Sequence, residues 1–129
     1  MTIPVPSALP STSSWQVADW LDRNWSSDPA GSDGVALITL PALPDNERWQ
    51  LTHSVVGCTS ATATRVRHYL DSVTNGALRE GSDKGNFDVA DWAQGLWVPP
   101  GRVLITRWTG CTPGAVATLA LQATILRRT

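Results

Sequence analysis

The sequence predicts a mainly β domain, an antiparallel β-sandwich or jelly roll, preceded by an extended N-terminal arm and one short N-terminal helix. Three observations predict it. From Val35 onward helical spacing of apolar residues disappears and short alternating runs replace it. Turn residues interrupt those runs every ~8 to 15 positions, which leaves about six to eight strands. Thr and Ser are abundant, at 14 and 11 of 129 residues, as expected for a hydroxyl-covered pleated surface. A small closed barrel is the alternative. The reading divides the chain into residues 1–34, comprising arm, helix and linker, and a sandwich over residues 35–129.

Residues 1–14 carry Pro4, Pro6 and Pro10, which block helix and deny ladder donors, so this segment reads as an extended arm. At ~3.3 Å per residue the arm reaches about 45 Å, enough to lie across a neighbouring subunit. Over Ser13–Trp25, Ser13 and Gln16 form a capping box. Val17, Trp20, Leu21, Asn24 and Trp25 fall on one stripe at helical spacing, which predicts the helix. The run from Ser26 to Gly34 is rich in Ser, Asp and Gly and reads as a linker.

Val35–Leu40 is the first predicted strand, closed by Pro41 and the Pro44-Asp45-Asn46 turn. Arg48–Val56 alternates, with Trp49, Leu51, His53 and Val55 on one face and Gln50, Thr52 and Ser54 on the other. Thr64–Leu70 sets Val66, His68 and Leu70 against Arg65, Arg67 and Tyr69. Asn75-Gly76 and the polar run Arg79–Asn86 read as loops, and Phe87–Val89 as a short strand. Leu96–Val98 and Arg102–Trp108 flank Pro99-Pro100-Gly101, in which Pro100 and Gly101 suit the central positions of a type II turn. Ala115–Leu126 is a long final strand. The repeated triplets Gly57-Cys58-Thr59 and Gly110-Cys111-Thr112 suggest a faint internal symmetry.

The chemistry the sequence lacks is informative. A net charge of −1 gives no excess for gripping phosphates, so no nucleic-acid partner is expected. The longest apolar stretch, Val35–Leu43, is far below the ~20 residues that cross a bilayer, and the amino terminus has no basic residue; no membrane segment and no signal peptide are expected. There is no GxSxG, and Cys58 or Cys111 with His53 or His68 would make a thiol dyad only if two strand histidines left their sheets. Asp83, Asp88 and Asp91 offer carboxylates, but in a loop where turn chemistry explains them. Asp83–Asp88 lacks the terminal Glu of a calcium loop, and the two cysteines lack metal-ligand spacing. No catalytic residue, metal or cofactor is therefore expected, and no enzyme.

Tryptophan remains, with seven residues against one Tyr and one Phe. Trp49 and Trp108 lie in alternating strands and read as core. Trp92 and Trp97, with Asp91 and Gln94 nearby, are candidates for stacking on a glycan, set against a structural role as caps of the sandwich or contacts to a partner; for Trp97 the alternation with Leu96 and Val98 favours the structural role.

The stretch Asp33–Arg128 resembles small β-sandwich virion proteins of tailed bacteriophages infecting actinobacteria. The resemblance lies in DGVALITLPALPDNERWQL, in TRVRHYLDS, and in SDKGNFDVADWAQGLWVPPGRVLITRWTG followed by PGAVATLALQ. It implies a non-enzymatic structural protein located in the virion, as capsid decoration, neck or tail accessory, contacting major capsid, neck or tail subunits. Pro4, Pro6, Trp15, Trp20, Leu21 and Trp25 are the expected partner-binding residues. Edge strands with few charges imply a homo-oligomer, a trimer or ring. The alternative is a carbohydrate-binding host-adhesion module.

Overall fold

In the computed structural model, which describes residues 14–128, eight strands follow one another in the order β1 Trp15–Ser26, β2 Ala36–Thr39, β3 Glu47–Cys58, β4 Arg65–Leu70, β5 Leu78–Ser82, β6 Phe87–Val98, β7 Leu104–Thr109 and β8 Ala117–Arg128, with one 3₁₀ turn at Asn75–Ala77. They form two antiparallel four-stranded sheets, β1-β8-β3-β6 and β2-β7-β4-β5. The pairs β1–β8, β2–β7, β3–β6 and β4–β5 are the successive rungs of one long hairpin. Rolling that hairpin up brings β3 against β8 and β4 against β7, so successive segments alternate between sheets. This is the jelly roll of the sequence expectation, rather than a closed barrel.

The predicted helix is a strand. β1 pairs with β8 from Trp15 opposite Arg128 to Ser26 opposite Thr118, with a bulge between Val17 and Asp19. Leu21 and Trp25 turn inward, whereas Trp15, Val17 and Trp20 turn outward. The segment mixes strong helix formers, Gln16, Ala18, Leu21 and Arg23, with weak ones, Val, Trp, Asp, Asn and Ser, and a twelve-residue partner at the far end of the chain outweighs that mixed local preference. The division at residue 34 consequently cuts through the sandwich. Ala30 is buried in the core and bonded to Ala115, and Ser27 N donates to Ala117 O, so the predicted linker is the β1–β2 connection pinned to the start of β8. The predicted arm, with Pro4 and Pro6, lies outside the described residues.

Three further departures position the site. In β3 the register shifts between Leu51 and His53 against both neighbours, so Thr52 is a bulge residue. Trp49 and Leu51 face inward, but beyond the bulge Ser54 and Val56 take the inner side, and His53 and Val55 turn outward instead of sharing the face of Leu51. Opposite the bulge, β6 contributes Trp92 to Gly95 as a wider excursion; Gly95 has φ +80°, and a Cβ there would collide with the Gln50 side chain. Trp92 and Trp97 thus lie in one long strand rather than beside a loop between two short ones. Finally, Leu78–Ser82, read in part as loop, is the edge strand β5 on β4.

The core centres on Trp108, which is fully buried and donates its indole N–H to Gly85 O at 3.0 Å. Leu51, Val98, Leu104, Leu119 and Leu121 are likewise buried. Gly101 has φ +72° and Arg102 N bonds Pro99 O at 3.3 Å, closing the expected turn at Pro99-Pro100-Gly101. Cys58 and Cys111 are free thiols in contact, at the ends of β3 and after β7. Burial, followed by the neighbouring Cys58, pushes the Cys111 thiol up to about 11. The triplets around them are not equivalent, because Gly110 has φ +81° whereas Gly57 does not share that conformation.

Candidate functional site

Two surfaces concentrate the residues the sequence singled out. The first is the outer face of the β1-β8-β3-β6 sheet. Register places Trp20 beside Thr124, Thr124 beside Gln50 and Gln50 beside Trp97, a row crossing all four strands, about 14 Å from edge to edge. Two rows of the register further along lies Val55 beside Val89, and then Gly57 beside Phe87. Trp20 is 72 % exposed, Phe87 69 % and Trp97 40 %, with Val17 and Val89 also open to solvent. Between the apolar rows runs a polar one, in which His53 Nδ1 and Asp91 Oδ1 lie 2.6 Å apart. At the end of the face near Arg128, the Arg48 guanidinium sits between two indoles, 4.6 Å from the Trp15 centroid and 4.8 Å from that of Trp97. Arg128 covers Trp15 as well, at 5.2 Å. Stacking on two rings holds Arg48 so deep that its Nε is buried without a hydrogen-bond partner.

Of the expected partner-binding residues, Trp15 and Trp20 therefore lie on this face. Leu21 is in the core, and Trp25 packs half-buried against it. The helical stripe grouped Trp20 with Leu21 and Trp25; strand alternation separates them onto opposite sides. Phe87 and Val89 are the residues the sequence reading missed, while Val17 was grouped with Trp20 but not counted among the partner-binding residues. The signal was there in Phe87-Asp88-Val89, whose apolar members share a face once β6 is known to run on past Val89 as an edge strand.

The second region is the open edge between the sheets, where β5 of one faces β6 of the other. Two side-chain bridges span it. Ser82 Oγ donates to the Asp88 carboxylate, and Trp92 Nε1 donates to Glu80 Oε2 at 3.2 Å. Between and behind them lies a cavity of about 340 Å³ whose lining includes Ser54, His68, Glu80, Asp88, Asp91 and Trp92. It exists because Ser54, Ala90 and Gly81 are small where the two edges meet. The His68 and Trp92 rings meet edge to face, with centroids 6.3 Å apart. His68 Nδ1 is 2.8 Å from Thr106 Oγ1 on β7. Trp92 and Trp97, expected to act together on a glycan, are parted by the structure: the first lines this cavity and the second lies on the outer face. Gln94, expected beside them, offers its carbonyl to Gln50 Nε2. Among the described residues no group of three or more His, Cys, Asp or Glu side chains is gathered to hold a metal ion.

Burial lowers the pKa of His68 from 6.5 to about 4, against the pull of the Glu80 carboxylate. The ring is consequently neutral at pH 7 and serves as a hydrogen-bonding group rather than a cation. The unfolded chain takes up this proton near pH 6.5 and the folded chain only near 4. Folding stability is thus complete above about 6.5 and declines as the pH falls through that window, by about 3 kcal/mol in all. Denaturant unfolding of His68→Gln should show a flatter pH profile between pH 6.5 and 4 than the parent, and equal slopes would refute this role of His68.

No protein-family model and no curated protein matches the sequence. Among solved structures, the chain is similar to the cryo-EM structure of the virus-like particle of the extra small virus of the giant freshwater prawn Macrobrachium rosenbergii, at 13 % identity, covering 98 % of this chain and 90 % of that one, with a TM-score of 0.40. The fold assignment rests on this chain's own strand order.

Proposed function

We propose that this protein is a non-enzymatic structural component of a virion, of the capsid-decoration, neck or tail-accessory kind that its sequence resembles in tailed phages, and that it self-associates there as a trimer or ring and contacts other virion subunits. The observation that carries the reading is the outer face of the β1-β8-β3-β6 sheet. Of the large apolar side chains left exposed among the described residues, five share this one face: Val17, Trp20, Phe87, Val89 and Trp97. They expose on the order of 500 Å² of apolar surface in rows parted by the His53–Asp91 row, the size of the largest apolar patch of an ordinary monomer, which is often a functional one. A jelly roll hosts capsid and lectin functions alike, so the fold alone does not choose between them; the unpartnered aromatic face favours assembly. Flanking it, β1 and β6 are edge strands whose free backbone groups also suit pairing or covering by a neighbour.

The test is sedimentation of the purified chain beside a Trp20→Ser, Phe87→Ser double variant. The parent is expected to form a discrete oligomer at micromolar concentration, and the variant a monomer with nearly unchanged thermal stability, since both side chains are already mostly in water. A parent that stays monomeric at high micromolar concentration would overturn the reading, as would a variant that assembles equally well.

A further inference from the structure

We propose that the cavity between β5 and β6 binds a neutral polyhydroxylated ring, one pyranose unit of a glycan. Its polar groups are positioned and left free. Ser54 is 2 % exposed, and among the described residues its hydroxyl makes no hydrogen bond; His68, 5 % exposed, has only its Nδ1 engaged. Among the described residues the side-chain atom both sealed from solvent and unpartnered is Arg48 Nε, on the outer sheet face, so the free Ser54 and His68 atoms are not sealed, and both residues line the cavity. Polar atoms that face such a cavity are met by water or by the hydroxyl of a ligand that displaces it.

The lining selects the class of occupant. Glu80 accepts from Trp92 Nε1 and, through Oε1, from Gly81 N at 2.9 Å, while Asp88 accepts from Ser82 Oγ and from Val89 N at 2.9 Å. Each carboxylate has about four acceptor positions, so both retain free ones, and a ligand must bring hydrogen-bond donors to meet them. The two carboxylates at the rim, Glu80 and Asp88, repel an anion. Asp88 already has a cationic neighbour in Lys84, which weakens the pull on an organic cation. The remaining walls are apolar, from Val56, Val66 and the Trp92 ring. A surface that is half hydroxyl acceptor and half apolar matches a sugar ring, with hydroxyls at its edge and C–H groups on its face. At about 340 Å³ the space holds one ring rather than a chain, so a longer glycan would enter by its terminal unit.

The experiment uses the full chain and a panel of methyl hexosides and N-acetylhexosaminides, with Trp fluorescence and NMR shift perturbation as readouts. At least one glycoside is expected to perturb the Trp92 indole signal saturably in the millimolar range. Ser54→Val and Glu80→Gln should each weaken that binding at least about tenfold. Glu80 is exposed, so its variant retains the fold and keeps the test valid should Ser54→Val lose stability. Trp20→Ser with Phe87→Ser should leave binding unchanged, which separates this site from the assembly face. The proposal is overturned if no glycoside perturbs Trp92 at tens of millimolar, if methylguanidinium binds there instead in a salt-sensitive way, or if binding survives Glu80→Gln and is lost in Trp97→Ala.

Discussion

Trp108→Ala is expected to cost this protein most of its folding stability. The indole is wholly enclosed between the sheets, and emptying such a site costs about 3 to 5 kcal/mol. Losing the indole N–H also strands the Gly85 carbonyl, which adds about 1 to 3 kcal/mol. Against a typical domain stability of about 5 to 15 kcal/mol, that sum of about 4 to 8 kcal/mol removes most or all of the stability of a domain in the lower half of the range. Trp108→Phe keeps much of the ring volume and should remain folded at a lower denaturant midpoint. A Trp108→Ala protein that unfolds cooperatively within about 2 kcal/mol of the parent would show that the core is organised elsewhere.

Two truncations should differ as sharply. Removing residues 1–13 is expected to leave the melting transition in place while reducing incorporation into particles, in keeping with the proposed attachment role of Pro4 and Pro6. Removing residues 1–26 strips β1 from β8. Eleven register pairs are lost, and the inward row Leu119, Leu121, Ala123 and Ile125 loses the cover of Leu21 and Trp25 along what becomes an edge. Apolar edges of that length aggregate, so the shorter protein should be insoluble or melt without a cooperative transition. Calorimetry and circular dichroism on both truncations decide the matter. A residue 27–129 fragment with a parental transition would restore the picture of a separable N-terminal segment.

Alternation in the sequence by itself determined the inward placement of Val66, His68 and Leu70 in β4, the core placement of Trp108, the turn at Pro99-Pro100-Gly101 and the antiparallel sandwich class, whereas the jelly-roll strand order came from pairing. In those segments an apolar residue at every second position has one way to leave water, and Pro and Gly close the turns locally. The identity of β1, the edge strand β5, the bulge at Thr52 and the separation of Trp92 from Trp97 were decided by tertiary structure alone. Helical and strand spacing both place Trp20 and Trp25 at plausible positions, and only pairing with β8 selects between them. The bulge reverses inside and outside beyond Thr52 without leaving a mark in the pattern of residue types, since Ser54 is polar yet faces in and Val55 is apolar yet faces out. The cavity has the same origin: its walls come from β3, β4, β5 and β6, and its volume from small residues meeting across two sheets. Such a space is a property of which strands become neighbours, and that is settled by long-range register, where each local stretch of sequence is compatible with more than one partner.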